Sequence, residues 1–259
     1  MEDGPAAVGP SMDSAVEIAA LQARIESLEA ALARMGAMQT AIAHGISHDL
    51  RAPLRVIDGF AAQLASGLQE DDAALQQVAR IRAAAGRMGS LIDGLLDFSR
   101  TVRAELRPTE VDIGFLVDWA VMDLQGLFPG LRVEVEAQPG LQVLGDERLL
   151  RALFDKVLDN SRKFAKPGEA MSLRIHGQRE GDMLHVTIAD EGIGMALRDA
   201  QQPFEPFMRL HGSREGAGDG LGLAIVQAIV QQHGGRVWMT SVPGQGSQVH
   251  VVLPAPPTD

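Results

Sequence analysis

The sequence predicts a multidomain chain: an N-terminal coiled coil, an all-α helical hairpin that pairs into a dimeric four-helix bundle, and a C-terminal α+β layer. Apolar residues recur at helical spacing over the first part of the chain, and Pro108 marks where that spacing stops. Beyond it, short alternating runs separated by glycine turns take over. The 259 residues leave room for two or three modules with their own cores.

Residues 1–13, rich in Gly, Pro and Ala, have no periodicity and read as a disordered leader. Over 14–41, Ile18, Leu21, Ile25, Leu28, Leu32 and Met35 alternate three and four apart, and Ile42 and Ile46 resume the register past Gln39. That seam predicts a parallel two-stranded coil. Over 42–106 the stripe continues as Leu50, Leu54, Ile57, Ala61 and Leu64, with two four-residue steps that slip the seam. The slip brackets His48, which at about 100° per residue points away from the apolar stripe. Pro53 follows in the same helix and predicts a kink beside it. Gly67 to Asp72 is a turn, and a second helix carries Leu75, Val78, Ile81, Met88, Ile92, Leu95, Leu96 and Val102. A short loop makes the two helices antiparallel neighbours.

Over 107–256, Val133 and Val135 predict a strand, Glu147 to Phe164 a helix, and Ser172 to Ile188 a hairpin turning at Glu180, Gly181 and Asp182. Leu221 to Gln232 predicts another helix, and Arg236 to Leu253 a closing hairpin around Pro243 and Gly244. Helices on one face of a mixed sheet are the expected product.

Composition excludes several functions. With 23 Lys plus Arg against 34 Asp plus Glu, the net charge of -11 disfavours nucleic acid and anionic membranes as partners. Cysteine is absent, which removes disulfides, thiolate metal sites and thiol nucleophiles. The start carries Glu2 and Asp3 in place of a basic segment, and no apolar run reaches the roughly 18 residues of a membrane span. A cytoplasmic chain without membrane insertion is expected, with two sources of input left open: a separate sensor or receptor docking on the coil, or a sensor of which this chain is a fragment.

His48 and Asp49 pair an exposed imidazole with a carboxylate able to take its Nδ1 proton, leaving the Nε2 lone pair to attack phosphorus. Together with Leu50, Arg51, Ala52, Pro53 and Leu54 they resemble the phosphoacceptor box of histidine kinases. Asp159, Asn160, Ser161, Arg162, Lys163 and Phe164 resemble the asparagine-bearing box of the same family. Asp190, Glu191, Gly192, Ile193, Gly194 and Met195 resemble its first glycine box, and Phe204 to Arg209 its phenylalanine box. Gly218, Asp219, Gly220, Leu221, Gly222 and Leu223 resemble its second glycine box, where backbone N–H groups at a helix start suit phosphates. Boxes in family order identify the chain as a member of the histidine kinases, because independent coincidences multiply.

That resemblance implies a Bergerat-fold ATP domain and catalytic roles for His48 and Asp49. It implies Mg2+ on Asn160, phosphate contacts from Lys163, and adenine read by Asp190 between Gly192 and Gly194. Phe207, Arg209, Gly218, Gly220, Leu221 and Gly222 are expected to bind ATP. The implied partner is the receiver domain of a response regulator, and the implied assembly a homodimer. The stretch from Met195 to Gly218, with Arg209, His211 and Arg214, is expected to form a lid.

The chain departs from the family pattern at three places. Lys156 stands where relatives carry a second Asn, Asp219 where Thr or Ser is common, and Ala52 where Thr or Asn orients water for dephosphorylating the partner. Two functions therefore stay open: an autokinase acting on its own His48, and a histidine phosphotransfer or scaffold protein with weakened ATP use. His44, one turn before His48, is taken as surface.

Overall fold

The computed structural model describes Arg24, which is helical, and residues 50–66, 72–208 and 220–257. The leader, almost all of the coil, His44, His48, Asp49 and the turn after Ser66 lie outside the described residues.

Helix α1 (50–66) runs antiparallel to α2 (Asp72–Thr101). Arg51 bonds Asp93, and Arg82 Nε donates to Asp58 Oδ1 at 2.9 Å, so rising positions on one helix meet falling positions on the other. Leu54, Ala85 and Ile92 form the apolar seam between them. The rest of the expected stripe is uncovered within one chain: Leu50 is 40% exposed, Ile57 46% and Leu64 59%. Two helices can cover only one side of each other's stripe, and the second side needs a further pair.

The C-terminal half is built on a five-stranded sheet of order β2-β4-β5-β7-β6, together with a small two-stranded sheet of β1 (Thr109–Asp112) and β3 (Gln142–Gly145). Strand β2 (Val133–Ala137) pairs parallel with β4 (Met171–Glu180), while β5 (Met183–Asp190), β7 (Gly246–Pro254) and β6 (Arg236–Val242) continue antiparallel. Helices α3 (Ile113–Leu127), α4 (Glu147–Lys163) and α5 (Gly222–Gln232) cover one face. Leu184, Val186 and Ile188 of β5 and Val249, Val251 and Leu253 of β7 point into that core, joined by Leu150, Leu153 and Ile229 of the helices. The opposite face presents Arg174, His176, Gln178 and Thr240 to solvent.

Helix α4 forms because Leu149, Leu150, Leu153, Phe154, Val157 and Leu158 repeat at three- and four-residue steps, giving one buried stripe. Asp146 caps it, accepting from Leu149 N at 3.2 Å and from Arg107 N at 3.0 Å. The Asp146 N–H donates in turn to His233 Nε2 at 2.9 Å, and His233 Nδ1 lies 2.7 Å from Ile229 O. A core histidine thus ties the start of α4 to the end of α5.

The predicted helix from Glu147, both hairpins and the helix ending at Gln232 are present, and the hairpin turn places Gly181 at φ 61°. Strands β1 and β3 and helix α3 were not anticipated. Their signal was in the sequence: Asp112 caps α3 by accepting from Gly114 N, and Leu116, Val117, Ala120 and Leu124 repeat at helical spacing and are buried. Strand β2 exists, but its residues are mostly exposed because it is an edge strand. Among the described residues, no helix is long and apolar enough to cross a membrane.

Candidate functional site

Strand β5 delivers Asp190 to the end of the sheet beside the last turn of α4. Its Oδ1 accepts from Gly192 N at 2.9 Å and from Ser247 N of β7 at 3.2 Å, and its Oδ2 lies 3.4 Å from Ser161 Oγ. Burial pushes the Asp190 carboxyl above the usual carboxylate range, and the donors from Gly192, Ser247 and Ser161 oppose that rise without cancelling it. A desolvated acceptor beside the end of α4 suits a ligand that brings its own N–H donor.

The glycines here are required by close approach. A Cβ on Gly192 would stand 2.4 Å from Phe164 O, and one on Gly194 (φ 59°) would stand 2.0 Å from Val242 O. Backbone bonds explain both contacts: Ile193 N donates to Phe164 O at 2.9 Å, and Gly244 N donates to Ile193 O at 2.7 Å. The loop after β5 is therefore pinned between the end of α4 and the β6–β7 turn.

Asn160 precedes Ser161 on α4 and is half-buried. Lys163 Nζ lies 2.6 Å from Asp159 Oδ2, and Arg162 Nη2 lies 2.8 Å from Asp159 Oδ1. Burial alone would raise the Asp159 carboxyl, but these two cations hold it below the usual range. Lys156, one turn before Asn160, lines a cavity of about 290 Å³ with Asp97, Arg100, Thr101, Asp155 and Ile225. That cavity joins α2 to α4 and α5.

Phe207 is exposed and is the one non-glycine residue at positive φ among the described residues, at 64°. Its N–H donates to Gly220 O at 2.9 Å, and Gly220 itself stands at φ 75°. Leu221 is buried and leads into α5 at Gly222, where no side chain caps the helix. Asn160, Lys163, Asp190, Gly192, Gly194, Phe207, Gly220, Leu221 and Gly222 thus gather around α4, α5 and the end of β5. His48, Asp49, Arg209 and Gly218 lie outside the described residues.

Sequence reasoning missed the hydroxyls that anchor this site. Ser241 Oγ accepts from Met195 N at 2.9 Å and lies 2.9 Å from both Gly246 O and Ser247 Oγ, so a serine network on β6 and β7 supports the loop. Ser161 was adjacent to a recognised residue, which was its only signal; Ser241 and Ser247 had none, since they meet the loop only after the sheet forms.

Two family patterns fall on this architecture. Residues 38–102 match the "His Kinase A (phospho-acceptor) domain", and residues 145–257 match the "Histidine kinase-, DNA gyrase B-, and HSP90-like ATPase" family. The chain belongs to the histidine kinases of two-component systems. Among its relatives in this family, the sensor-like histidine kinase SenX3 of Mycobacterium tuberculosis is 31% identical over 229 residues, spanning 86% of this chain and 55% of the relative. The phosphate regulon sensor protein PhoR of Pseudomonas aeruginosa is 31% identical over 211 residues, spanning 78% of this chain and 47% of the relative. The solved structure of full-length ShkA in complex with AMPPNP matches with a TM-score of 0.58 and 26% identity, covering 84% of this chain and 46% of that one. The chain spans about half the length of the curated relatives it matches.

Proposed function

We propose that the chain is an ATP-dependent autokinase that phosphorylates its own His48 and passes the phosphoryl group to an aspartate in the receiver domain of a response regulator. The observation that carries this reading is the half-buried Asp190 carboxylate, held by donors from Gly192 and Ser247 beside Ser161 in the last turn of α4, which suits the exocyclic amino group of adenine. In this reading residues 42–106 present the nucleophile and residues 107–256 hold ATP.

His48 Nε2 forms the new bond to the γ-phosphorus as the bond from that phosphorus to the β–γ bridging oxygen breaks, and ADP leaves with the electron pair. The Nδ1 proton goes to Asp49. The partner's carboxylate oxygen then takes the phosphoryl group, and the imidazole is restored. Asn160 supplies an amide oxygen that would suit Mg2+, and the ion, when bound, would neutralise charge on the transferring phosphoryl group. Gly220, Leu221 and Gly222 would offer backbone to the phosphates, and Phe207, Arg209 and Gly218 would be further ATP-binding residues.

Proximity supports the assignment. The Arg51–Asp93 pair sets the start of the described part of α1, two residues after Asp49, beside a point on α2 about 12 Å before Thr101. Gln232 of α5 bonds Thr101, so the nucleotide half rests near that level of the hairpin. Uncovered Leu50, Ile57 and Leu64 support a homodimer through a second hairpin, and the heptad spacing over 14–41 is where a separate sensor would dock.

Incubation with γ-labelled ATP and Mg2+ tests the proposal. An acid-labile label that disappears in His48→Gln is expected. Absence of label in the wild type, with phosphoryl exchange from a phosphorylated regulator intact, would replace the autokinase by a relay protein.

A further inference from the structure

The face of the sheet turned away from helices α3, α4 and α5 carries His176, His185 and His250. His185 and His250 are diagonal neighbours across β5 and β7, since Val252 opposes the first and Thr187 the second. Their nitrogens His185 Nε2 and His250 Nδ1 lie 3.3 Å apart. Each outer nitrogen faces an oxygen: His185 Nδ1 is 3.7 Å from Glu180 Oε1, and His250 Nε2 is 3.2 Å from Thr240 Oγ1. Thr187 Oγ1 also lies 3.2 Å from His250 Nδ1. Trp238 stacks on His250 with 5.0 Å between ring centroids and 10° between planes, and stands 5.0 Å from His185, so both rings are held in orientation.

A neutral imidazole has one N–H and one lone pair. One proton between the inner nitrogens makes them an N–H···N pair; with His250 Nε2–H turned to Thr240 and His185 Nδ1–H turned toward Glu180, both inner nitrogens instead present lone pairs that a cation can share. Two nitrogens each about 2.0–2.1 Å from zinc at a tetrahedral angle lie about 3.3–3.4 Å apart, which is the spacing found here. A carboxylate behind a ligating imidazole is the usual outer partner that fixes its tautomer.

We propose that His185 and His250 form a two-imidazole site for a borderline divalent cation of the Zn2+ or Cu2+ class, with Glu180 and Thr240 as positioning residues. Among the described residues no group of three or more His, Asp or Glu side chains converges on a metal, so water completes the shell. Imidazole donors separate this site chemically from Mg2+, which prefers oxygen. The site is independent of the autokinase reading, since it lies on the other face of the sheet. A bound ion would clip β5 to β7, the two strands that also share the Asp190–Ser247 contact.

The test is calorimetric titration of the whole chain, without nucleotide, using ZnCl2 alone. The expected result is one Zn2+ per chain that is lost in His185→Gln and in His250→Gln and kept in His176→Gln. Glu180→Gln and Thr240→Val are expected to weaken it about tenfold. Added Cu2+ should give an electron paramagnetic spectrum with coupling to two imidazole nitrogens in the wild type. Zinc binding unchanged in the double variant overturns the site, and so does a wild-type copper spectrum without two-nitrogen coupling, whatever the variants do.

Discussion

The side-chain amide of Gln232, the last residue of α5, donates to the carbonyl of Thr101, the last residue of α2, at 2.5 Å. This bond joins the nucleotide half to the hairpin at a helix end, where a carbonyl otherwise lacks an intrahelical partner. Gln232 Oε1 is buried without a partner, so the amide is held for its donor side alone.

If that bond holds the nucleotide half short of His48, removing it should release motion that transfer requires. Gln232→Ala is expected to speed initial autophosphorylation about two- to tenfold, the population change that a net hydrogen bond of about 0.5–1.5 kcal/mol implies. Initial rates of acid-labile labelling measure it. An unchanged or slower rate would show that the contact is not a restraint.

Asp190 sets binding against stability. Its folded pKa is raised by burial, so the stability that this group contributes is present below the unfolded value and lost as pH rises through the folded one. Asp190→Asn, neutral at every pH, is expected to melt higher than the wild type near pH 7, with the difference closing as pH falls toward about 4. Its amide oxygen can still accept from Gly192 and Ser247. Adenine nucleotide affinity should nevertheless fall about tenfold or more, because a charged acceptor is lost. Scanning calorimetry at both pH values and a nucleotide titration provide the readout; a variant that melts lower at neutral pH contradicts the linkage.

The uncovered stripe on α1 makes assembly testable with little change to the single hairpin. Ile57→Asp places a charge on a residue that is 46% exposed in one chain and is expected to be buried between two. Sedimentation should then report a monomer whose melting temperature, measured at high dilution, matches that of the wild type. A variant that remains dimeric removes α1 from the interface.

Ala52 is exposed on α1, four residues after His48, and offers only a methyl group where a hydroxyl or amide would orient water. Adding this chain to a phosphorylated regulator should therefore leave its aspartyl phosphate at the spontaneous decay rate. Ala52→Thr is expected to accelerate phosphate release in an Asp49-dependent way. Rapid release by the wild type would refute the assignment.

Most of the layer was readable in the chain because its determinants are local. Asp146 before the leucines of α4 and Gly181 between two alternating runs each announce an element within a few residues. Helix α3 was equally local through Asp112 and Leu116, but it lies in a stretch where no recognised residue drew attention to it. What sequence could not reveal depends on register across strands: Ser247 reaches Asp190 and His250 reaches His185 only because β5 and β7 pair as they do. The exposed half of the hairpin stripe shows the converse, since helical spacing reports which residues seek cover but not which chain supplies it.

Strand β2 has a consequence beyond the site. Among the described residues it leaves one flank of the sheet unpaired, and an unpaired flank is a template on which another copy can add a strand. Glu134 and Glu136 lie exposed along it, so a second copy laid alongside would bring like charges into opposition. A chain proposed to pair through its helices would thereby be kept from stacking through its sheet, and the same acidic flank along β2 guards the protein against fibrous association.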